Sequence, residues 1–97
     1  MKKQTVTYRL RKTKADLTSY GVSRIGIFGS TVRNENTKKS DIDILIDFVP
    51  GKETYQNYLT VCDILSNTFR RNRLDIVTLK GLSPYIGQSI LKEVEYV

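Results

Sequence analysis

Ile27-Phe28-Gly29-Ser30, then ten residues, then Asp41-Ile42-Asp43-Ile44-Leu45-Ile46-Asp47-Phe48 is the stretch that decides how this chain folds. In its second half Ile42, Ile44, Ile46 and Phe48 alternate with Asp41, Asp43 and Asp47, the period of two that marks a strand with one buried face. Leu45 interrupts the acidic face. An apolar residue there means that this face is itself partly covered, with Asp41 and Asp43 left toward its open end. Upstream, residues 23–29 contain Ile25, Ile27 and Phe28 in a run too short and too β-branched for an independent helix, so they read as a buried strand. Gly29 ends it, Ser30 reads as a helix N-cap, and residues 31–39 lose periodicity, as a short helical turn followed by a surface loop would.

Helices flank this pair of strands. Val6, Leu10, Thr13, Leu17 and Tyr20 share a stripe at helical spacing, and Gly21 supplies the left-handed residue that ends a helix, so residues 5–20 are predicted helical. After the Pro50-Gly51 turn, Tyr58, Val61, Cys62, Ile64, Leu65 and Phe69 predict a second helix over 53–69. Residues 73–79 read as a third strand, and Ser83-Pro84 opens a last helix carrying Ile86, Ile90, Leu91 and Val94. The expected architecture is α/β (α+β): a small mixed sheet of three or more strands with helices packed against it. Residues 1–97 are expected to form a single domain whose first twenty residues are a basic helix docked on the core.

The chain carries 16 Lys and Arg against 10 Asp and Glu, a net charge of +6. Lys2, Lys3, Arg9, Arg11, Lys12 and Lys14 account for the whole excess, because no acidic residue lies among the first fourteen and the remainder is balanced. A charge surplus can signal nucleic acid, but on an amphipathic helix it more often marks the wet face, so nucleic acid is an unlikely principal partner. With no histidine, imidazole bases and histidine zinc ligands are excluded. One cysteine, Cys62, forms no internal disulfide, and no apolar run approaches the roughly 20 residues of a membrane helix. A cytoplasmic protein that does not enter membranes is expected.

Gly29-Ser30, Asp41-x-Asp43 and Asp75 carry the chemistry. Two carboxylates two residues apart on a strand project from one face about 6.6 Å apart. Without a cation they repel each other, and a hard ion such as Mg2+ resolves that conflict. Glycine lets a polyphosphate approach the backbone, and the serine hydroxyl adds a donor. Asp75 completes the metal site or accepts the proton of an attacking hydroxyl. Asp47, about 13 Å along the strand from Asp43, is assigned to solvent or a salt bridge. Tyr20, Tyr58 and Tyr85 are expected in aromatic packing and Cys62 in the core.

The Gly-Ser, ten-residue gap and Asp-x-Asp resemble the signature of the polymerase β-like nucleotidyltransferase superfamily. Leu74-Asp75-Ile76-Val77 is similar to its third-aspartate strand, and residues 83–97 are similar to the tail of its minimal nucleotidyltransferase (MNT) group. The resemblance covers residues 23–97 and implies a polymerase β-like palm core. By that resemblance Asp41, Asp43 and Asp75 are catalytic and hold two Mg2+ ions, while Gly29, Ser30 and Arg33 bind the triphosphate of ATP or another NTP. Thr31 departs from the Arg, and Asn34 from the Gly, that relatives often carry. Lys38 and Lys39 stand in the same loop as Arg33 and could also meet phosphate.

The resemblance extends to MNT antitoxins, which transfer AMP from ATP to a tyrosine of a HEPN toxin. A cognate HEPN toxin is therefore the expected partner. A core this short has no second domain to close over an acceptor, so the acceptor must bring its own surface. The alternatives are an antitoxin that acts by occlusion with weak catalysis, transfer to a small molecule, or a nucleic-acid-binding module.

Overall fold

A computed structural model describes residues 1–35, 37 and 39–97. Its strands are β1 (Val22–Ile27), β2 (Ile42–Phe48), β3 (Leu74–Thr78) and β4 (Glu95–Tyr96), and its helices α1 (Lys3–Ser19), α2 (Gly29–Val32), α3 (Tyr55–Thr68) and α4 (Pro84–Glu93). Each predicted element is present within a few residues of its expected ends. The sheet runs β3-β2-β1-β4, with β1–β2 and β1–β4 antiparallel and β2–β3 parallel. It is the predicted mixed sheet with one strand more.

The two faces of β2 are covered unequally. Ile42, Ile44 and Ile46 are fully buried and pack with Val6, Leu10 and Leu17 of α1, Val61 and Leu65 of α3, and Phe69. Thr13 fills the gap in the α1 stripe; its hydroxyl donates to the Arg9 carbonyl and pairs with Thr68 Oγ1 at 3.2 Å. On the opposite face Leu45 is fully buried with Phe28 and Ile90, and Val77, Leu82 and Val94 pack around them. Thus α4 caps only the middle of that face. Gly21 has φ +94 and closes α1 as expected, because a left-handed residue favours glycine.

Four expectations need correction. Ser30 is not an N-cap: Phe28 occupies that position, α2 starts at Gly29, and the Ser30 hydroxyl turns to Asp43. The last helix stops at Glu93, because Val94 adopts extended dihedrals and β4 then pairs with Gly26 and Ile27. A two-residue strand has too little periodicity to read; the free edge of β1 creates it. Tyr20 and Tyr85 are exposed rather than packed, Tyr85 at 89%, whereas Tyr58 is half-buried against the core. Cys62 is half-buried rather than fully in the core.

Basic residues of the first fourteen also act inside the molecule, among them Arg9, whose Nη1 donates to the Thr68 carbonyl at 3.2 Å. Lys3 Nζ lies 2.8 Å from a Glu95 carboxylate oxygen, and Lys14 Nζ donates to the Val97 carbonyl at 3.0 Å. Lys3 thus joins α1 to the edge strand β4, and Lys14 joins it to the residue that follows. Among the described residues no helix is long and apolar enough to cross a membrane.

Candidate active site

Parallel pairing of β2 with β3 sets the site. The register places Asp43 opposite Asp75 and, two residues on, Leu45 opposite Val77. Side chains two apart on a strand share a face, so the apolar pair lies beneath α4 and the acidic pair lies just beyond its cover. Asp43 is half-buried and Asp75 exposed. Burial pushes the Asp43 carboxyl above its ordinary range, and the nearby Asp75 charge adds to this; hydrogen bonds from Thr31 and Ser30 oppose it. Two carboxylates whose charges oppose each other present an all-oxygen donor set, which fits a hard divalent cation.

The strand-to-helix turn after β1 supplies the other wall. Ser30 Oγ and Thr31 Oγ1 reach Asp43 Oδ2 at 3.4 and 3.3 Å, and the Asp43 amide donates to Thr31 Oγ1 at 3.0 Å. Gly29 has φ +58, and a Cβ there would stand 2.7 Å from Asp43 Oδ2. Only glycine lets the turn pass this close to the carboxylate. Both departures from the family pattern find a local reason. Thr31 is fully buried and grips the backbone and side chain of Asp43, a task that an Arg cannot perform. Asn34 has φ +56, and Asn adopts this left-handed conformation more readily than most residues, so it replaces glycine there.

Of the remaining predicted residues, Arg33 lies beside Gly29 and Asp75, and Asp41 pairs elsewhere. Asp41 precedes β2, and its Oδ1 lies 3.4 Å from Arg73 Nε. Among the described residues no three acidic or cysteine side chains gather closely enough to hold a metal ion. The structure brings together Asp43 and Asp75, while Asp41 pairs with Arg73. That ion pair is open to water, with Arg73 86% exposed, and such pairs are worth only about 0–1 kcal/mol. Arg33 is exposed and bonded to Glu35 and Glu93, which together raise its pKa. Lys39 is exposed in the loop, and Lys38 lies outside the described residues.

Glu93, at the end of α4, was not legible as a site residue. Its Oε1 accepts from the Gly29 amide at 2.7 Å and its Oε2 from Arg33 Nη1 at 2.6 Å. It lies 64 residues from Gly29 in the chain, and nothing in its local sequence marks that meeting. A cavity of about 480 Å³ opens beside these groups; Gly29, Arg33, Asp75 and Glu93 give it a polar side, while Val77, Leu82, Ile86 and Ile90 give it an apolar one.

The sequence and the fold are similar to those of known proteins. A family model described as "Nucleotidyltransferase domain" matches residues 9–97. The chain is 43% identical over 91 residues to a Methanocaldococcus jannaschii protein named "Putative protein adenylyltransferase MJ0128", covering 91% of this chain and 90% of that one. It is 36% identical over 80 residues to "Protein adenylyltransferase MntA" of Thermococcus cleftensis, covering 80% and 77%. Among solved structures, "Structure of putative minimal nucleotidyltransferase" superposes with a TM-score of 0.84 at 28% identity, over 98% of this chain and 95% of that one. The fold is also that of a chain in "Crystal structure of the toxin-antitoxin with AMP-PNP", with a TM-score of 0.67 at 18% identity over 99% and 72%.

Proposed function

The chain belongs to the nucleotidyltransferase domain family, and from that premise we propose that it transfers AMP from ATP to a tyrosine hydroxyl of a partner HEPN toxin. In this reading residues 1–97 form one minimal nucleotidyltransferase domain acting in the cytoplasm, with the basic helix of residues 1–20 as its docked first element. The observation that carries it is the facing of Asp43 and Asp75 across parallel strands, beside a glycine turn that can accept no side chain. The naming of relatives as protein adenylyltransferases supports the adenylyl group and a protein acceptor.

Asp41, Asp43 and Asp75 would hold two Mg2+ ions, Asp41 after leaving Arg73. Bound there, the ions would offset the charge of the triphosphate and of the departing pyrophosphate. The Gly29 amide, the Ser30 hydroxyl and Arg33 hold phosphate oxygens and fix the α-phosphorus for in-line attack. The acceptor oxygen forms a bond to that phosphorus as the bond to the bridging oxygen of pyrophosphate breaks. Its proton passes to Asp75, the exposed carboxylate of the pair. The apolar walls of the adjoining cavity, Val77, Leu82, Ile86 and Ile90, suit the ring of the acceptor.

Incubation with Mg2+, each labelled NTP and the product of the neighbouring gene tests this reading. It expects adenylyl label on a tyrosine of the partner. Label on a small molecule instead would keep the family and remove the acceptor. An Asp43→Asn variant that still silences the partner at equal stoichiometry would establish occlusion in place of catalysis.

A further inference from the structure

The phosphate-binding donors of the proposed site already have an anion on them. One carboxylate, that of Glu93, takes the Gly29 amide with one oxygen and Arg33 with the other, at 2.7 and 2.6 Å. Charge-assisted hydrogen bonds of this length are the strong class, roughly twice the neutral kind. While these bonds stand the single Gly29 N–H is not free to a phosphate oxygen, and Arg33, which also donates to Glu35 through Nε, keeps only its Nη2 hydrogens and one on Nη1. A second anion brought to the same donors would lie against the Glu93 carboxylate, and like charges at that range repel. Glu93 is 30% exposed and forms the rim of the cavity beside Asp75, so its side chain has room to leave without unfolding the core.

We propose that Glu93 is a built-in competitor for the phosphate subsite: its carboxylate occupies the Gly29 amide and Arg33 in the nucleotide-free protein and is exchanged for phosphate oxygens when a nucleoside triphosphate binds. The inference rests on the assignment of Gly29 and Arg33 to phosphate in the proposed function. Its consequences are specific. Glu93 lowers the affinity for any polyphosphate while leaving contacts to base and ribose untouched. A monoanion that makes only two hydrogen bonds holds these donors against weak anions and yields to a multiply charged triphosphate.

The test is a titration of the wild-type chain, Glu93→Gln and Glu93→Ala with inorganic tripolyphosphate, followed by calorimetry and by the 15N–1H signal of the Gly29 amide. Tripolyphosphate lacks a base and a transferable nucleotide, so it reads the phosphate subsite alone. Both variants should bind it about tenfold more tightly than wild type, and adenosine should bind all three alike. In wild type the Gly29 signal should move on titration; in Glu93→Ala it should already be displaced before any is added. Equal or weaker tripolyphosphate binding by folded Glu93→Gln, or no binding by any of the three, overturns the inference. The functional reading fails separately, if wild-type protein with MgATP labels no acceptor while the Glu93 effect on tripolyphosphate persists.

Discussion

Asp43 carries an electrostatic cost that its neighbours reduce but do not remove. Its carboxyl is raised above the ordinary value of 3.8, first by burial and then by Asp75, so the folded state binds this proton more tightly than the unfolded state. Stability from this group therefore falls as pH rises from below 3.8 through the raised folded value, and the full cost is present above it. Asp43→Asn should raise the melting temperature at pH 7, by about 4–8 °C for each ~1 kcal/mol relieved, and the gain should vanish near about pH 3. Thermal melts across that range measure it; a variant less stable than wild type at pH 7 would contradict the cause assigned. Gly29→Ala acts in the other direction. A non-glycine residue at φ +58 costs roughly 1–2 kcal/mol, and the added methyl meets Asp43 Oδ2, so urea unfolding should show a loss of at least that size together with loss of transfer. At this scale the meeting of Asp43 and Asp75 beside Gly29-Ser30 was legible from residue type and spacing, and the pairing of Asp41 with Arg73 was not. The role of Thr31 was not, because a buried hydroxyl that grips a carboxylate leaves no periodic trace.

Elements explain which predictions succeeded. Strand β2 was legible because its alternation is read from consecutive residues, and Leu45 in the acidic row announced the covering of that face that α4 provides. Strand β4 and the place of Glu93 were not, since both arise from a meeting of the chain's end with the turn after β1. Helix α4 is fastened at its start by Ser83, whose Oγ accepts from the Ile86 amide at 3.2 Å with Pro84 following it. Ser83→Ala should cost about 0.5–2 kcal/mol. It should also weaken acceptor use more than nucleotide binding, because α4 walls the cavity beside Asp75. A steady-state split between the Michaelis constants for the acceptor and for ATP reads this; equal effects on both would contradict the assignment of the cavity.

The whole molecule divides its work between the two sides of one small sheet. The side closed by α1 and α3 holds most of the buried apolar residues, and the side closed by α4 is left open where Asp43 faces Asp75. Ile44→Ala, on the closed side and fully buried, should cost ~2–5 kcal/mol and unfold much of the population near body temperature. Substitutions of the aspartates should spare the fold. The overall charge was legible in amount and in its place on an exposed helix face, and the contacts by which Lys3 and Lys14 hold the last residues to α1 were not. The central claim is that Asp43 and Asp75, held opposite each other by β2–β3 pairing, carry nucleotidyl transfer. Its most direct test is intact-mass spectrometry of the candidate toxin after incubation with MgATP and wild-type, Asp43→Asn or Asp75→Asn protein, each checked for folding by melting. Wild type should add adenylyl groups to the toxin, and both folded variants should lower the rate by at least about a hundredfold; undiminished adenylylation by both would contradict the claim.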